Sequence, residues 1–329
     1  MTAKDNTGTK RPLIILTGPT AVGKTALSIG LAKAIQGEII SADSMQVYRG
    51  MDIGTAKITK EQMDGVPHHL IDIMDPSDSF HVMAFQQKCK EAMEDIYARH
   101  KIPILVGGTG FYIQSVLYDI SFTETDTDIE YRQELQKIAE EQGSYVLHAR
   151  LAKIDPEAAD EIHPNNVKRV IRALEFNHQT GEKISIHNEQ ERQRKSPYQF
   201  RYYVLSLPRE ILYDRINRRV DVMRRDGLVD EVKGLLQQGI TPNMVSMQGL
   251  GYKEIIDALQ GSCSFEEAFE RIKRETRHFA KRQLTWFGRE KEVCMVDKSQ
   301  FGSEDEILTY MLTILKEKGI YDGSVKELL

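Results

Sequence analysis

The sequence predicts an α/β fold: a parallel sheet core flanked by helices, interrupted by an all-helical insertion. Three observations carry this. Short apolar runs of strand length, such as Leu13–Leu16 and Ile102–Val106, alternate with stretches of helical periodicity, the pattern of a parallel sheet built from strand–helix units. The first run passes into its helix through a glycine-rich turn. From Phe122 to about Ser196 the pattern is helical throughout.

The glycine-rich turn is Gly18-Pro19-Thr20-Ala21-Val22-Gly23-Lys24-Thr25, which fits G-x-x-x-x-G-K-[ST]. Leu13–Thr17 before it reads as a buried strand. After it, Leu27, Leu31 and Ile35 fall at i, i+4 and i+8, one face of a helix. Strand, loop and helix aim backbone N–H groups and a positive helix end at an anion, Lys24 adds a point charge, and the Thr25 hydroxyl can ligate Mg2+. The core is therefore expected to be P-loop NTPase-like. The motif specifies phosphates without specifying whose.

Composition bounds the rest. At 329 residues the chain has room for two domains. A hydrophobic content of 40% and a charged content of 28% are those of a globular protein. The net charge of −5 gives no global basic field, so any nucleic-acid contact has to come from a local patch. Cys89, Cys263 and Cys294 lie far apart without metal spacing, and His68-His69, after Pro67, suits a packing role better than a metal. The polar start to Lys10 has no apolar signal segment, and no apolar run reaches the ~18 residues of a membrane span. A cytoplasmic monomer without membrane contact is expected.

Along the chain, Glu38–Ala42 reads as a second strand ending in the polar cluster Asp43-Ser44-Met45-Gln46, placed where an open α/β sheet builds its site. A short strand is expected at His69–Ile73 and a helix over Val82–His100. The strand Ile102–Val106 closes on Gly107-Gly108-Thr109-Gly110, where many P-loop NTPases carry a Mg2+-linked Asp. A helix follows from Phe111. Residues 121–196 form the expected insertion, with helices at Asp128–Gln142, Tyr145–Ala152, from Asp155-Pro156, and Val167–His178, the last capped by Asn166 and closed by Gly181. On that helix Lys168, Arg169 and Arg172 share a flank opposite Val170, Ile171 and Leu174. The core domain, 1–120 and 197–329, resumes with the strand Phe200–Leu207 and the helix Arg209–Arg225, where Arg215 and Arg219 share a face. Helices follow at Leu228–Gln238, Tyr252–Leu259, Phe265 to about Arg289, and from Ser303 onward, with a last strand at Val293–Val296. The long helix buries Ile272, Phe279, Ala280, Leu284 and Phe287. Eight Lys or Arg against two acids between Arg271 and Lys291 mark a polyanion-binding surface.

Asp43 admits three readings from sequence: Mg2+ ligand, structural N-cap or general base. Beside it, Gln46 can pair bidentately with adenine and Asp43 can accept a proton from an exocyclic amine, a base-reading pair next to a phosphate site.

GPTAVGKT, DSMQVYRGMDIGTAK (Asp43–Lys57), PHHLID (Pro67–Asp72), GGTGFYI (Gly107–Ile113), HPNNVKRVIRALE (His163–Glu175) and AKRQLTWF (Ala280–Phe287) occur in order and at similar spacing to the bacterial tRNA dimethylallyltransferases, so the chain resembles that family from about Leu13 to Phe287. Ile58 stands where the family often has proline. The resemblance implies transfer of a dimethylallyl group from dimethylallyl diphosphate to N6 of adenosine 37 in tRNA, with Mg2+. It implies catalytic roles for Asp43, Arg219, Thr109 and Lys24, and diphosphate binding by Gly18, Pro19, Thr20, Ala21, Val22, Gly23, Lys24 and Thr25, with the metal on Thr25. It implies tRNA contacts from Asp43, Ser44, Met45, Gln46 and Thr109, from Lys168, Arg169, Val170, Ile171 and Arg172 of the insertion, and from Lys281 and Arg282. Two other readings fit the sequence less well. A P-loop kinase using ATP lacks an acidic end to the Ile102–Val106 strand, and an RNA-binding ATP switch leaves the Asp43 cluster without a role.

Overall fold

The computed structural model describes residues 10–122 and 128–323. The elements run β1 (Pro12–Thr17), α1 (Lys24–Ile35), β2 (Glu38–Ala42), β3 (His68–His69), α2 (Val82–Ala98), β4 (Pro103–Gly107), α3 (Gly110–Leu117), α4 (Ile129–Gln142), α5 (Ser144–Ile154), α6 (Pro156–Glu161), α7 (Val167–Thr180), α8 (Ile184–Arg192), β5 (Gln199–Ser206), α9 (Arg209–Arg225), α10 (Leu228–Gln237), α11 (Tyr252–Leu259), α12 (Phe265–Phe287), β6 (Val293–Asp297) and α13 (Glu304–Glu317). They form two compact units, Met1–Leu117 with Pro197–Leu329, and Tyr118–Ser196.

In the first unit the sheet has six strands in the order β3-β2-β4-β1-β5-β6, every pair parallel. β1 lies inside, with Leu13, Ile14, Ile15 and Leu16 wholly buried, between β4 and β5. Ile14 and Leu16 pack with Leu27, Leu31 and Ile35 of α1, Leu212 and Ile216 of α9, and Ile307, Met311 and Leu315 of α13. Because every strand runs the same way, the carboxyl ends of β1, β2 and β4 share one edge, where open α/β sheets place their sites. The edge is tight. A Cβ on Gly107 would come within 2.2 Å of the Ala42 carbonyl oxygen, so only glycine lets β4 end this close to β2. The Thr17 hydroxyl donates to the Gly107 carbonyl at 2.6 Å, tying β1 to β4 at the same level.

The second unit is all helical. Its core gathers Leu135, Leu147, Leu151, Val170, Ile171 and Leu174. Asp128 and Asp155 cap α4 and α6 by accepting the N–H groups of Tyr131 and Ala158. Arg132 meets the buried Glu175 of α7 through two hydrogen bonds of 2.6 and 2.8 Å, the bidentate pairing that makes guanidinium–carboxylate contacts strong.

The structure corrects the sequence reading in several places. The strand expected at His69–Ile73 stops at His69, because Leu70 and Asp72 both adopt left-handed backbone (φ 63° and 55°) that no strand can accommodate. α8 lies in the stretch expected to be helical but was not delimited as a separate helix; none of its residues is buried. Asn166 holds the N-cap position of α7 without a side-chain capping bond. Phe279, assigned to the buried stripe of α12, is 39% exposed with the Arg282 guanidinium over its ring. The last helix, expected to run from Ser303 to the C-terminus, ends at Glu317, and residues 318–323 are not helical; the remainder of that expectation lies outside the described residues. No helix among the described residues is long and apolar enough to cross a membrane.

Candidate active site

The first unit brings the phosphate loop, the Asp43 cluster and Thr109 to the shared sheet edge. Gly18–Gly23 links β1 to α1, with Gly23 in left-handed conformation as the N-cap. The Lys24 ammonium folds back on its own loop, donating to the Gly18 and Pro19 carbonyls at 2.9 Å each. Burial pushes its pKa down to about 8; nearby Arg219 pushes the same way, and Asp43 opposes. Arg219, on α9, donates to the Thr20 hydroxyl at 3.2 Å and to the Thr55 carbonyl at 3.4 Å. Burial lowers its pKa and Asp43 raises it. One carboxylate thus acts electrostatically on both Lys24 and Arg219. Arg215, one turn earlier, donates to the Val22 carbonyl at 3.3 Å. Thr25 is exposed at the first turn of α1.

At the end of β2, Asp43 Oδ1 accepts the backbone N–H groups of Met45 (2.8 Å) and Gln46 (3.2 Å), a local turn that leaves Oδ2 outside the capping bonds. Of the three readings of Asp43, the capping geometry is therefore present, and it engages one oxygen. Half-buried Ser44 and Met45 follow, Met45 lying against Gly249. The Gln46 carboxamide donates to the Thr55 and Ala56 carbonyls at 3.3 and 3.4 Å and accepts from the Ser41 hydroxyl at 3.4 Å. These bonds are long, so the amide is held loosely. Thr109, directly after β4, donates its N–H to the Ala42 carbonyl at 3.2 Å and is half-buried beside the Asp43 turn.

Gln283 of α12 was missed in sequence. It is 6% exposed, accepts the Thr20 N–H at 2.9 Å and donates to the Gly108 carbonyl at 2.9 Å. It joins the phosphate loop to the loop carrying Thr109. The signal for it was a polar residue placed on the buried stripe of α12. The basic run on α12 is also divided. Arg271 pairs with Asp257, Lys273 with Asp221 and Glu270, and Arg274 with Glu275, while Arg277 bonds Asn217. Further along, His278, Lys281, Arg282, Thr285, Trp286 and Arg289 line an open cavity of about 420 Å³, within the range of small-ligand sites.

In the second unit Lys168, Arg169 and Arg172 are exposed on α7. Val170 and Ile171 are 0% and 5% exposed in its core, which corrects their expected part in RNA contact. Burying each side chain is worth about 1.5–3 kcal/mol, so they hold α7 in place and turn the basic flank outward.

The family model described as IPP transferase matches residues 46–290, and one described as isopentenyl transferase matches residues 12–79. A tRNA dimethylallyltransferase of Lachnoclostridium phytofermentans is 59% identical over 310 residues, 94% of this chain and 99% of that one. One of Bacillus cereus is 50% identical over 92% of this chain and 95% of its own. Among solved structures, the tRNA isopentenylpyrophosphate transferase of Bacillus halodurans superposes with a TM-score of 0.70 at 48% identity, covering 94% of this chain and 98% of that one. A eukaryotic dimethylallyltransferase acting on tRNA gives a TM-score of 0.76 at 30% identity, covering 94% of this chain and 80% of that one. With a site of this geometry and likeness of this extent, the chain belongs to the tRNA dimethylallyltransferase family.

Proposed function

We propose that the chain transfers the dimethylallyl group of dimethylallyl diphosphate to N6 of adenosine 37 of a tRNA and releases diphosphate. One observation carries the reading: the phosphate loop after β1 and the Asp43 turn after β2 lie at one sheet edge, close enough for the Asp43 carboxylate to raise the pKa of both Lys24 and Arg219, so a base and an anion cradle share that edge. An adenine amine is a poor nucleophile because its lone pair is delocalised into the ring. In the proposed step N6 attacks the allylic carbon, the carbon–oxygen bond to diphosphate breaks with its electron pair leaving on oxygen, and Asp43 Oδ2 takes the N6 proton. The loop N–H groups, Lys24 and Arg219 receive the charge growing on the departing diphosphate. Losing one such donor costs about 3–4 kcal/mol of barrier. Lys24 leaves the Gly18 and Pro19 carbonyls for the diphosphate oxygens.

Mg2+ fits the residues present: the Thr25 side chain is exposed at the first turn of α1, next to the phosphate loop, and a hard cation that keeps most of its waters would need only that hydroxyl and phosphate oxygens. Bound there, it would neutralise part of the leaving group's charge.

Adenosine 37 has to leave the anticodon stack to reach Asp43, at a cost of a few kcal/mol. Ser44 and Gln46 would hold its edge, Gln46 releasing its weak bonds to Thr55 and Ala56, and Thr109 lies beside the same turn. Lys168, Arg169 and Arg172 on α7 supply phosphate contacts, as do Lys281 and Arg282 on α12, where Trp286 adds a stacking surface. The test is substrate choice. With Mg2+, dimethylallyl diphosphate should be consumed only when an anticodon stem-loop carrying A36-A37-A38 is present. ATP hydrolysis or phosphoryl transfer in its place overturns the reading.

A further inference from the structure

Glu231, in the first turn of α10, is a carboxylate held by dipoles alone. Its Oε2 accepts the N–H groups of Asp52 (2.8 Å) and Ile53 (2.7 Å), and its Oε1 accepts the N–H of Gly54 (3.0 Å) and the Tyr252 hydroxyl (2.7 Å). Three successive backbone amides converging on one anion form a nest, and bonds to an ionised acceptor are the strong kind. Tyr252 is 1% exposed and its ring packs against Gly54; a Cβ there would come within 2.5 Å of it, so glycine is required. On its other side the loop is held by Lys57, whose ammonium bonds the Tyr48 carbonyl, Asp52 and Asp72 at 2.5–2.6 Å.

What this clamped loop presents is the Thr55 carbonyl. It accepts from Arg219 Nη2 at 3.4 Å and from Gln46 Nε2 at 3.3 Å. The loop is held independently by Glu231 and Lys57, so the Thr55 carbonyl is a fixed acceptor toward which the Arg219 guanidinium is oriented. Arg219 is the cation placed on the departing diphosphate, and Gln46 is the amide placed at the adenine edge. We infer that Glu231 is a positioning residue: by gripping the amides of residues 52–54 it fixes the Thr55 carbonyl, and through it the guanidinium of Arg219. The inference rests on the proposed dimethylallyl transfer and extends it to a side chain that touches no substrate.

A purely structural Glu231 and a positioning Glu231 differ in how their loss combines with the loss of Arg219. The experiment is a double-mutant cycle on the full chain, with dimethylallyl diphosphate and the anticodon stem-loop as substrates and single-turnover rates as the readout. Glu231→Gln keeps the volume but leaves one acceptor oxygen for four donors. It is expected to lower the rate about 10²-fold, the effect of a misplacement near 1 Å, with diphosphate binding little changed. Arg219→Lys removes the planar fork. In that background Glu231→Gln should cost almost nothing further, because residues acting as one unit do not add. Losses that multiply overturn the positioning role. Should Glu231→Gln fail to fold, Tyr252→Phe carries the same cycle, since it keeps the ring on Gly54 and deletes one donor of four. A smaller loss that vanishes beside Arg219→Lys supports the inference, and one that multiplies overturns it. A wild-type chain inert toward both substrates overturns the function and this inference together. An active wild type with multiplying losses overturns the inference alone.

Discussion

The Gln283 carboxamide oxygen accepts the Thr20 N–H at 2.9 Å across 263 residues of sequence, and its nitrogen donates to the Gly108 carbonyl. One side chain of α12 therefore sets the separation between the phosphate loop and the turn bearing Thr109. Gln283→Leu keeps much of the volume and leaves two backbone groups without their partner, at about 1–3 kcal/mol for each group that stays buried. Denaturant unfolding should show a lower midpoint with an unchanged slope. An unchanged midpoint would mean that water satisfies both groups and that the bridge holds nothing.

Asp43 combines two duties that a pair of substitutions separates. Asp43→Ala deletes the base and also the acceptor for Met45 and Gln46. Asp43→Asn deletes the base and retains an acceptor. Both should lower turnover by about 10²–10⁴-fold, the usual worth of a general base, with inorganic diphosphate still bound. Only Asp43→Ala should lose stability as well, by about 0.5–2 kcal/mol, as for a lost cap. A large loss of diphosphate binding at normal turnover would make Asp43 a Mg2+ ligand instead.

Lys24 makes diphosphate binding depend on pH. Burial, then Arg219, bring its pKa from 10.5 down to about 8 in the free protein, with Asp43 opposing. The ammonium is present below about 8 and lost above it, so affinity for inorganic diphosphate should fall as pH rises through 8. The sign for stability is opposite. Between about 8 and 10.5 the unfolded chain binds the proton that the folded chain has released, so this group's contribution to stability rises with pH across that window. Lys24→Met, titrated beside the wild type, cancels the ligand's own ionisation. A constant ratio of the two affinities from pH 7 to 9 would show that the ammonium keeps its charge throughout.

The parts of this chain legible in sequence are those with a local cause. β1, the phosphate loop and α1 follow from an apolar run, two glycines and a period of four. α9 and α11 occupy the predicted residues because their buried stripes, Leu212, Ile216 and Val220 in α9 and Tyr252, Ile255 and Ile256 in α11, lie within them. The parts that were not legible depend on distant partners. β3 ends early because Leu70 and Asp72 are held in left-handed backbone, which neither residue type announces. Glu231 in the first turn of α10 reads as an ordinary acid complementing a helix dipole; its real partners are amides 177–179 residues away. For Lys168, Arg169 and Arg172 the pattern of α7 gave the exposed flank correctly, and the same pattern showed that Val170 and Ile171 face inward, which a motif read as a continuous block conceals.

That division of α7 leads to its own test. Arg172 is exposed, while Ala173 and Leu174 beside it are buried, so Arg172→Ala removes a charge without opening the core of the second unit. If the flank meets tRNA phosphates, the substitution weakens stem-loop binding at low salt and reduces the slope of log affinity against log salt by about 1, the share of one phosphate contact. Ile171→Ala provides the contrast. It leaves the flank's charge intact and costs about 2–5 kcal/mol of stability through the cavity it creates, with the salt slope kept wherever the protein remains folded. Binding isotherms at several salt concentrations, beside unfolding curves of both variants, separate the two effects. An Arg172→Ala protein with the wild-type slope would remove α7 from the RNA interface and leave the basic end of α12 to carry it.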